Sequence, residues 1–337
     1  MKDRVKFDIG AKELLQNWLQ IDWKSVKKKI TNLRRRIYRA IQENQWNKAR
    51  SLMKLMLRSY SNLLLSVRRV TQENQGKNTA GIDGQKATTP IQRVKLVKEM
   101  LTHSPWKAQP SRRIYIPKAN GKKRPLGIST IKNRIAQAIV KNALEPCWEA
   151  RFENNSYGFR HGRSCHDAIE QCHMRLKKGT DTWILDADIK GAFDNICHQY
   201  LLNTIGQVPG RELIKQWLKA GYVEAEIFNP TNSGTPQGSV ISPLLANIAL
   251  DGMEKLLSQY EKIKVYKYLE KKTGRIRKCR KKSNKYGFCR YADDFLVTAQ
   301  SREDIEAIKP ILEQWLAEKG LELNQEKNQY RSYRTRN

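Results

Sequence analysis

The sequence predicts an α+β chain, and three patterns predict it. Val26, Ile30, Leu33, Ile37 and Ile41 recur at spacings of three and four, the apolar stripe of a helix. Residues 112–118 and 124–128 are strand-like runs on either side of Asn120-Gly121, a hairpin turn signal. Two further apolar stretches, Trp183-Ile184-Leu185 and Phe288-Cys289-Arg290-Tyr291, each run into aspartates. The 337 residues exceed the ~100–200 of a single domain, so two or three subdomains are expected.

Charge narrows the partners. The 64 Lys/Arg and 33 Asp/Glu leave a net +31, which suits a polyanion, nucleic acid first. An anionic membrane surface has only the charge in its favour. No run of ~18 apolar residues predicts a transmembrane helix, and the start lacks a signal-peptide core. The six cysteines form no C-x-x-C pair and read as free thiols of a reducing compartment. Cys165, His166, Cys172 and His173 repeat at seven-residue spacing, but structural zinc sites use tighter spacing.

In chain order, residues 1–22 are weakly patterned. The first helix starts near Trp23 and carries Lys27, Lys28, Lys29, Arg34, Arg35 and Arg36 opposite its apolar stripe. A second helix through Leu52, Met53, Met56, Tyr60, Leu63, Leu64 and Val67 completes a basic helical hairpin. Residues 1–70 hold 18 Lys/Arg against 5 Asp/Glu, a density that predicts contact with a nucleic-acid backbone. Polar turn formers over 71–90 mark a boundary, and a short helix over 91–101 leads to the hairpin. Lys118, Lys122, Lys123 and Arg124 crowd its tip, which suits a triphosphate clamp or a solubilising loop equally well. A helix over 131–148 precedes a Gly- and Arg-rich loop at 154–163, another helix, and the strand with Asp188. Residues 196–220 are helical. Gly234-Thr235-Pro236-Gln237-Gly238-Ser239 is a tight loop that opens one apolar helix over 240–257, and its glycines permit close backbone approach. Residues 271–285 hold nine Lys/Arg and no acid, the pattern of a mobile exposed insertion that touches polyanion. Ser301 opens a helix that Gly320 stops, and Pro310 within it predicts a kink or a break in two. Leu321-Glu322-Leu323 reads as a short strand before a basic tail.

The chemistry concentrates at Tyr291-Ala292-Asp293-Asp294. Adjacent strand residues face opposite ways, so both carboxylates meet one ion only at a turn, which places the pair at a hairpin tip. Like charges held close repel unless a cation neutralises them, and hard carboxylate oxygens suit Mg²⁺. An Asp-Asp pair alone reads first as an exposed turn. A third carboxylate shifts the balance: Asp186 and Asp188 alternate with apolar residues on a strand of the same kind. If that strand lies beside the hairpin, Asp188, Asp293 and Asp294 form a trio able to hold two Mg²⁺ ions for in-line phosphoryl displacement. Asp194 reads as a turn or helix-cap residue.

Together these stretches resemble the group II intron-type reverse transcriptases (maturase-reverse transcriptases) over roughly residues 24–330. The resemblance rests on Arg113-Ile114-Tyr115-Ile116-Pro117-Lys118 with Arg124-Pro125-Leu126-Gly127-Ile128, and on Asn155-Ser156-Tyr157-Gly158-Phe159-Arg160. It continues through Asp188-Ile189 with Phe193-Asp194, and Thr235-Pro236-Gln237-Gly238 with Ile241-Ser242-Pro243-Leu244-Leu245-Ala246-Asn247. Tyr291-Ala292-Asp293-Asp294 and Leu323-Asn324 with Glu326-Lys327 complete the order.

The resemblance implies a right-hand polymerase. Residues 1–85 would be a basic helical N-terminal extension, 86–180 the fingers, and 181–337 a palm whose antiparallel sheet packs on helices, with a basic insertion near 260–287. It assigns Asp188, Asp293 and Asp294 to two Mg²⁺ ions, with the Ile189 carbonyl assisting, and Lys327 to the leaving pyrophosphate as a general acid. Lys118 and Arg124 match positions that hold the dNTP triphosphate. Phe193 matches the residue that blocks a 2′-hydroxyl, and Gln237 lies in the loop that supports the template-dNTP pair. The N-terminal hairpin matches a region that binds template or intron RNA, here through Lys27, Lys28, Arg34, Arg35 and Arg36. Lys281 and Lys282 extend that surface. Ser239 stands where glycine is common, and a hydroxymethyl group is tolerable there. The motifs end at Lys327 without a helical thumb, so the grip on the primer-template duplex is expected from elsewhere, a separate chain with thumb and maturase regions being one source.

The expected function is therefore an RNA-directed DNA polymerase of a retroelement, in a bacterial cytoplasm or an organelle, associated with nucleoid or ribonucleoprotein. Two alternatives share the motifs: an RNA-binding maturase or splicing factor with little synthesis, and a domesticated reverse transcriptase in phage defence. The intact carboxylate trio favours the enzyme, because a site without chemistry has no reason to hold three like charges together.

Overall fold

The computed structural model describes residues 17–102, 107–117, 121, 123–177, 181–269, 275–326 and 328–332. The chain packs as two units, Met1–Phe152 with Phe193–Ala249, and Glu153–Ala192 with Leu250–Asn337. In order, the elements are α1 (Trp23–Gln42), α2 (Trp46–Arg58), α3 (Tyr60–Arg68), α4 (Pro90–Thr102), β1 (Ser111–Pro117), β2 (Lys123–Ile128), α5 (Ile131–Glu149), α6 (Cys165–Leu176) and β3 (Trp183–Asp188). Then come α7 (Ala192–Asn195), α8 (His198–Ile205), α9 (Arg211–Leu218), β4 (Tyr222–Glu224), β5 (Ile227–Asn229), α10 (Ser242–Ala249) and α11 (Met253–Ser258). The last are β6 (Glu261–Leu269), β7 (Ile276–Asn284), β8 (Gly287–Tyr291), β9 (Asp294–Ala299), α12 (Arg302–Ala317) and β10 (Gln329–Ser332).

The first unit is built on α5. This helix is buried on every side, as expected of a core helix rather than an amphipathic one. α1 packs on α5, α2 and α3, and Val26, Ile30, Ile37 and Ile41 of its stripe are buried. Asp22 caps α1 by accepting from the backbone of Lys24 and Ser25. The expected second helix is two helices, α2 and α3, because Ser59 leaves helical geometry and caps α3. The polar residues of α5 bond inward: Asn142 Nδ2 donates to Asn62 Oδ1 at 2.8 Å. The unit also holds a sheet in the order β2-β1-β4-β5. β1 and β2 form the expected hairpin, from Arg112 opposite Ile128 to Pro117 opposite Lys123. β4 and β5 fall in the reach over 222–229, where no strand was expected.

The second unit is an antiparallel sheet in the order β10-β3-β9-β8. α6, α11 and α12 pack on it. Three expectations are corrected in this half of the chain. The single apolar helix over 240–257 is two, because Gly252 takes φ 106° and ends the first stretch. Within the basic block expected to be a mobile insertion, Ile276–Asn284 is ordered as β7, paired with β6 from Glu261 opposite Asn284 to Leu269 opposite Ile276. Its exposure is as expected, with Arg275, Lys278, Arg280, Lys281 and Lys282 all open to solvent. The segment after residue 327 is not only a tail, since Gln329–Ser332 pairs with β3.

Pro310 lies inside α12, which runs unbroken across it. A helix-interior proline costs about 3 kcal/mol. Ile305, Ile308, Leu312 and Leu316 are buried along the same helix, and each such side chain contributes about 1.5–3 kcal/mol. Burial outweighs the lost hydrogen bond.

Candidate active site

The aspartates are placed by strand register. β3 and β9 run antiparallel with Asp188 directly opposite Asp294. β8 and β9 close with Tyr291 opposite Asp294, which leaves Ala292 and Asp293 as the two central turn residues. Ala292 takes φ 59°, as the first central position of a primed hairpin turn requires. The Ile189 N–H donates to the Asp293 carbonyl at 3.3 Å, which ties the end of β3 to the turn. Backbone pairing thus brings Asp188, Asp293 and Asp294 to one end of the sheet.

Asparagines set Asp188. Asn324 Nδ2 donates to its carboxylate at 2.9 Å, and the Asp188 N–H donates to Asn328 Oδ1 at 3.2 Å. Leu323 bridges Ile189, so the expected short strand is an isolated bridge. Asp186 faces Arg331 instead, at 3.8 Å.

A buried floor lies under the turn. Tyr157 N donates to the Arg290 carbonyl, and Arg290 N donates to the Asn155 carbonyl, both at 2.9 Å. Asn155 is in turn held by Glu254, at 3.0 Å from its N–H and 2.5 Å from Nδ2. Gly158 passes so close that a Cβ there would lie 2.3 Å from the Ala292 nitrogen. The Arg290 guanidinium is wholly buried and donates to the Ala292 carbonyl at 2.9 Å. Burial pulls its pKa down to about 10, against the opposing charges of Glu153, Asp251 and Asp293. Burial also pushes Glu153 up to about 7; a Lys255 N–H bond and Arg290 resist the rise, and Asp251 adds to it. Nothing in the sequence marks Arg290 as buried or Glu153 as half-buried, because their partners come from distant segments.

Among the described residues no three His, Cys, Asp or Glu side chains gather as a metal-binding group. That holds for Cys165, His166, Cys172 and His173, which are strung along α6. It holds also for the aspartate trio. The donor chemistry fits a hard divalent ion: Asp188 and Asp294 are opposed carboxylates, and Asp293 lies one residue away in the turn.

The residues expected at a nucleotide lie in the first unit. Arg124 Nε donates to Gln237 Oε1 at 2.9 Å. Gln237 Nε2 donates to Asp194 Oδ2 at 2.8 Å. The Gln237 carbonyl accepts from Gly127 N at 2.7 Å, and the Phe193 carbonyl accepts from Thr235 N at 2.6 Å. Asp194 therefore does more than end a turn. Ser239 fits, buried with its hydroxyl donating to Gln137 at 3.0 Å. Lys118 and Lys327 lie outside the described residues.

The basic surface divides. Lys27, Lys28, Arg35 and Arg36 are exposed. Arg34 is half-buried and pairs with Glu145. It falls on the apolar stripe, four residues from Ile30 and three from Ile37, so the helical period turns it toward α5. Lys281 and Lys282 are exposed on β7, and Lys282 pairs with Glu261 at 2.7 Å.

Residues 116–336 match the family described as reverse transcriptase (RNA-dependent DNA polymerase), and residues 18–100 match the N-terminal domain of reverse transcriptase. Protein YkfC of Escherichia coli (strain K12) is 34% identical over 267 residues, 73% of this chain and 70% of YkfC. The group II intron-encoded protein LtrA of Lactococcus lactis subsp. cremoris is 35% identical over 301 residues, 75% of this chain and 50% of LtrA. This chain thus spans half the length of LtrA. A solved telomerase from Candida albicans aligns at TM-score 0.44 and 14% identity, over 68% of this chain and 43% of that one. On the match of residues 116–336, the chain belongs to the reverse transcriptase family, and group II intron-encoded proteins are among its relatives.

Proposed function

We propose that this chain is an RNA-directed DNA polymerase of a group II intron-type retroelement, working by two-metal nucleotidyl transfer. The observation that carries the reading is the register that sets Asp188 opposite Asp294 with Asp293 in the adjoining turn. Asp188, Asp293, Asp294 and the Ile189 carbonyl would hold two Mg²⁺ ions, which supply activation of the attacking hydroxyl and stabilisation of the leaving oxygen. Asn324 fixes the Asp188 carboxylate for that task. Arg124 and Lys118 take the dNTP triphosphate, Gln237 supports the base pair, Phe193 excludes a 2′-hydroxyl, and Lys327 protonates the leaving pyrophosphate.

In this assignment residues 1–85 are the RNA-binding extension, 86–180 the fingers and 181–337 the palm. The exposed cations of α1, with Lys281 and Lys282 on β7, bind template or intron RNA. The ligands are RNA, a primer-template duplex and dNTPs. The compartment is a bacterial cytoplasm or an organelle, within a ribonucleoprotein. No described helix is long and apolar enough to cross a membrane.

Primer extension on an RNA template tests the reading. With dNTPs and Mg²⁺ the primer should lengthen, and EDTA should stop it. RNA binding without any extension would favour the splicing-factor alternative.

A further inference from the structure

Gln237 is held from three sides within one unit. Its carbonyl accepts from Gly127, its side-chain oxygen from Arg124, and its side-chain nitrogen donates to Asp194. The two ends of a glutamine amide have nearly the same shape and opposite polarity. A guanidinium only donates and a carboxylate only accepts, so this pair of neighbours permits a single amide orientation.

The loop that carries Gln237 is fastened to the turn that carries Phe193 and Asp194. Thr235 N bonds the Phe193 carbonyl at 2.6 Å, and Gly234 N bonds the Ile196 carbonyl at 2.8 Å. Ser233 Oγ bonds the Asp194 carbonyl at 3.1 Å. A Cβ on Gly234, which takes φ 78°, would lie 2.4 Å from the Asp194 carbonyl oxygen, so the two segments touch backbone to backbone. Asp194 and Gln237 also line a cavity of about 370 Å³ with Arg113 and Tyr222, a volume within the range of small-ligand sites.

We propose that Asp194 is a positioning residue for the incoming nucleotide: it fixes the Gln237 amide, and through it the Arg124 guanidinium. Asp194 does not touch the reacting atoms. This rests on the reading of Arg124 and Gln237 as dNTP-binding residues. Without the carboxylate acceptor the amide is held by Arg124 alone, and the oxygen that orients the Arg124 Nε is less firmly fixed. The loop then keeps its backbone bond from Thr235 to Phe193, but the Gln237 side chain loses its alignment.

The test compares Asp194→Leu, which removes the acceptor, with Asp194→Asn, which keeps one oxygen. The assay is single-nucleotide incorporation on an RNA template. Asp194→Leu should raise the KM for dNTP about tenfold, the weight of one ordinary hydrogen bond, with kcat within about twofold of wild type. Asp194→Asn should recover most of the loss. In a Gln237→Leu background, Asp194→Leu should add nothing. A normal KM in Asp194→Leu, a loss in kcat alone, or additive effects in the double variant would overturn the proposal.

A second readout does not depend on activity. In the free protein with ¹⁵N-labelled arginine, the Arg124 Nε–H should exchange with solvent about tenfold faster in Asp194→Leu than in wild type. Unchanged exchange overturns the relay even if the wild-type chain incorporates nothing. Faster exchange without wild-type incorporation keeps the relay and removes the polymerase reading.

Discussion

Arg290 donates from its guanidinium to the Ala292 carbonyl at 2.9 Å. The last interior residue of one strand thereby holds the turn that presents Asp293. This turn has a left-handed non-glycine residue at its first position, a conformation that costs about 1–2 kcal/mol. The floor formed by Ser156, Tyr157 and Gly158, all buried, offsets that cost by fitting the turn closely.

Gly158 is the tightest part of the fit. Gly158→Ala would put a Cβ 2.3 Å from the Ala292 nitrogen, and the turn must shift by about an ångström. A misplacement of that size costs on the order of 100-fold in rate. Single-turnover extension should fall by that factor, while RNA affinity stays within about twofold.

Glu153 gives the floor a pH dependence. Its pKa is raised to about 7 in the folded protein, against about 4.3 in an unfolded chain. A carboxyl whose folded pKa is raised contributes stability that is fully present below the unfolded value and is lost as pH rises through the folded one. The facing groups are Asp251, Arg290 and the Lys255 and Gly252 N–H groups. Glu153→Gln removes the titration. The Tm of the variant should therefore gain on wild type between pH 5.5 and pH 8.5. Parallel Tm curves across that range would contradict the assignment.

RNA binding should depend steeply on salt. Changing Lys27, Lys28, Arg35 and Arg36 to Ala removes exposed cations without touching the Arg34–Glu145 pair. The slope of log affinity against log salt should become shallower by roughly 0.7 for each phosphate that is no longer neutralised. Filter binding over 50–300 mM salt measures it. Arg34→Ala should act differently, lowering Tm with little change in slope.

Phe193 should govern sugar selection. Phe193→Ala should let ribonucleotides compete, with the dNTP preference falling by at least tenfold in paired incorporation assays. An unchanged preference would remove Phe193 from that role.

Local patterns made part of this structure legible in the chain. The stripe of α1 and the hairpin β1–β2 follow from spacing and turn chemistry over a few residues. The aspartates stood out because acids inside apolar strands have no structural reason to be there. Long-range pairing hid the rest. Gln329–Ser332 has no apolar alternation and is exposed at all four positions, so only its ladder with β3 makes it a strand. Arg290 reads as a surface charge until Glu153 and Asp251 are folded against it. Asp194 meets Gln237 from 43 residues away, a distance no periodicity spans. Gly252 falls inside the single helix expected over 240–257, yet it takes a positive φ and stands as the N-cap of α11.

The central claim is that Asp188, Asp293 and Asp294 perform the chemistry. The most direct measurement is primer extension on an RNA template with dNTPs and Mg²⁺, comparing the wild-type chain with the Asp293→Ala, Asp294→Ala double variant. Extension should be abolished in the variant while RNA affinity stays within about twofold. A variant that extends as well as wild type, or that loses RNA binding and synthesis in equal measure, would contradict the account.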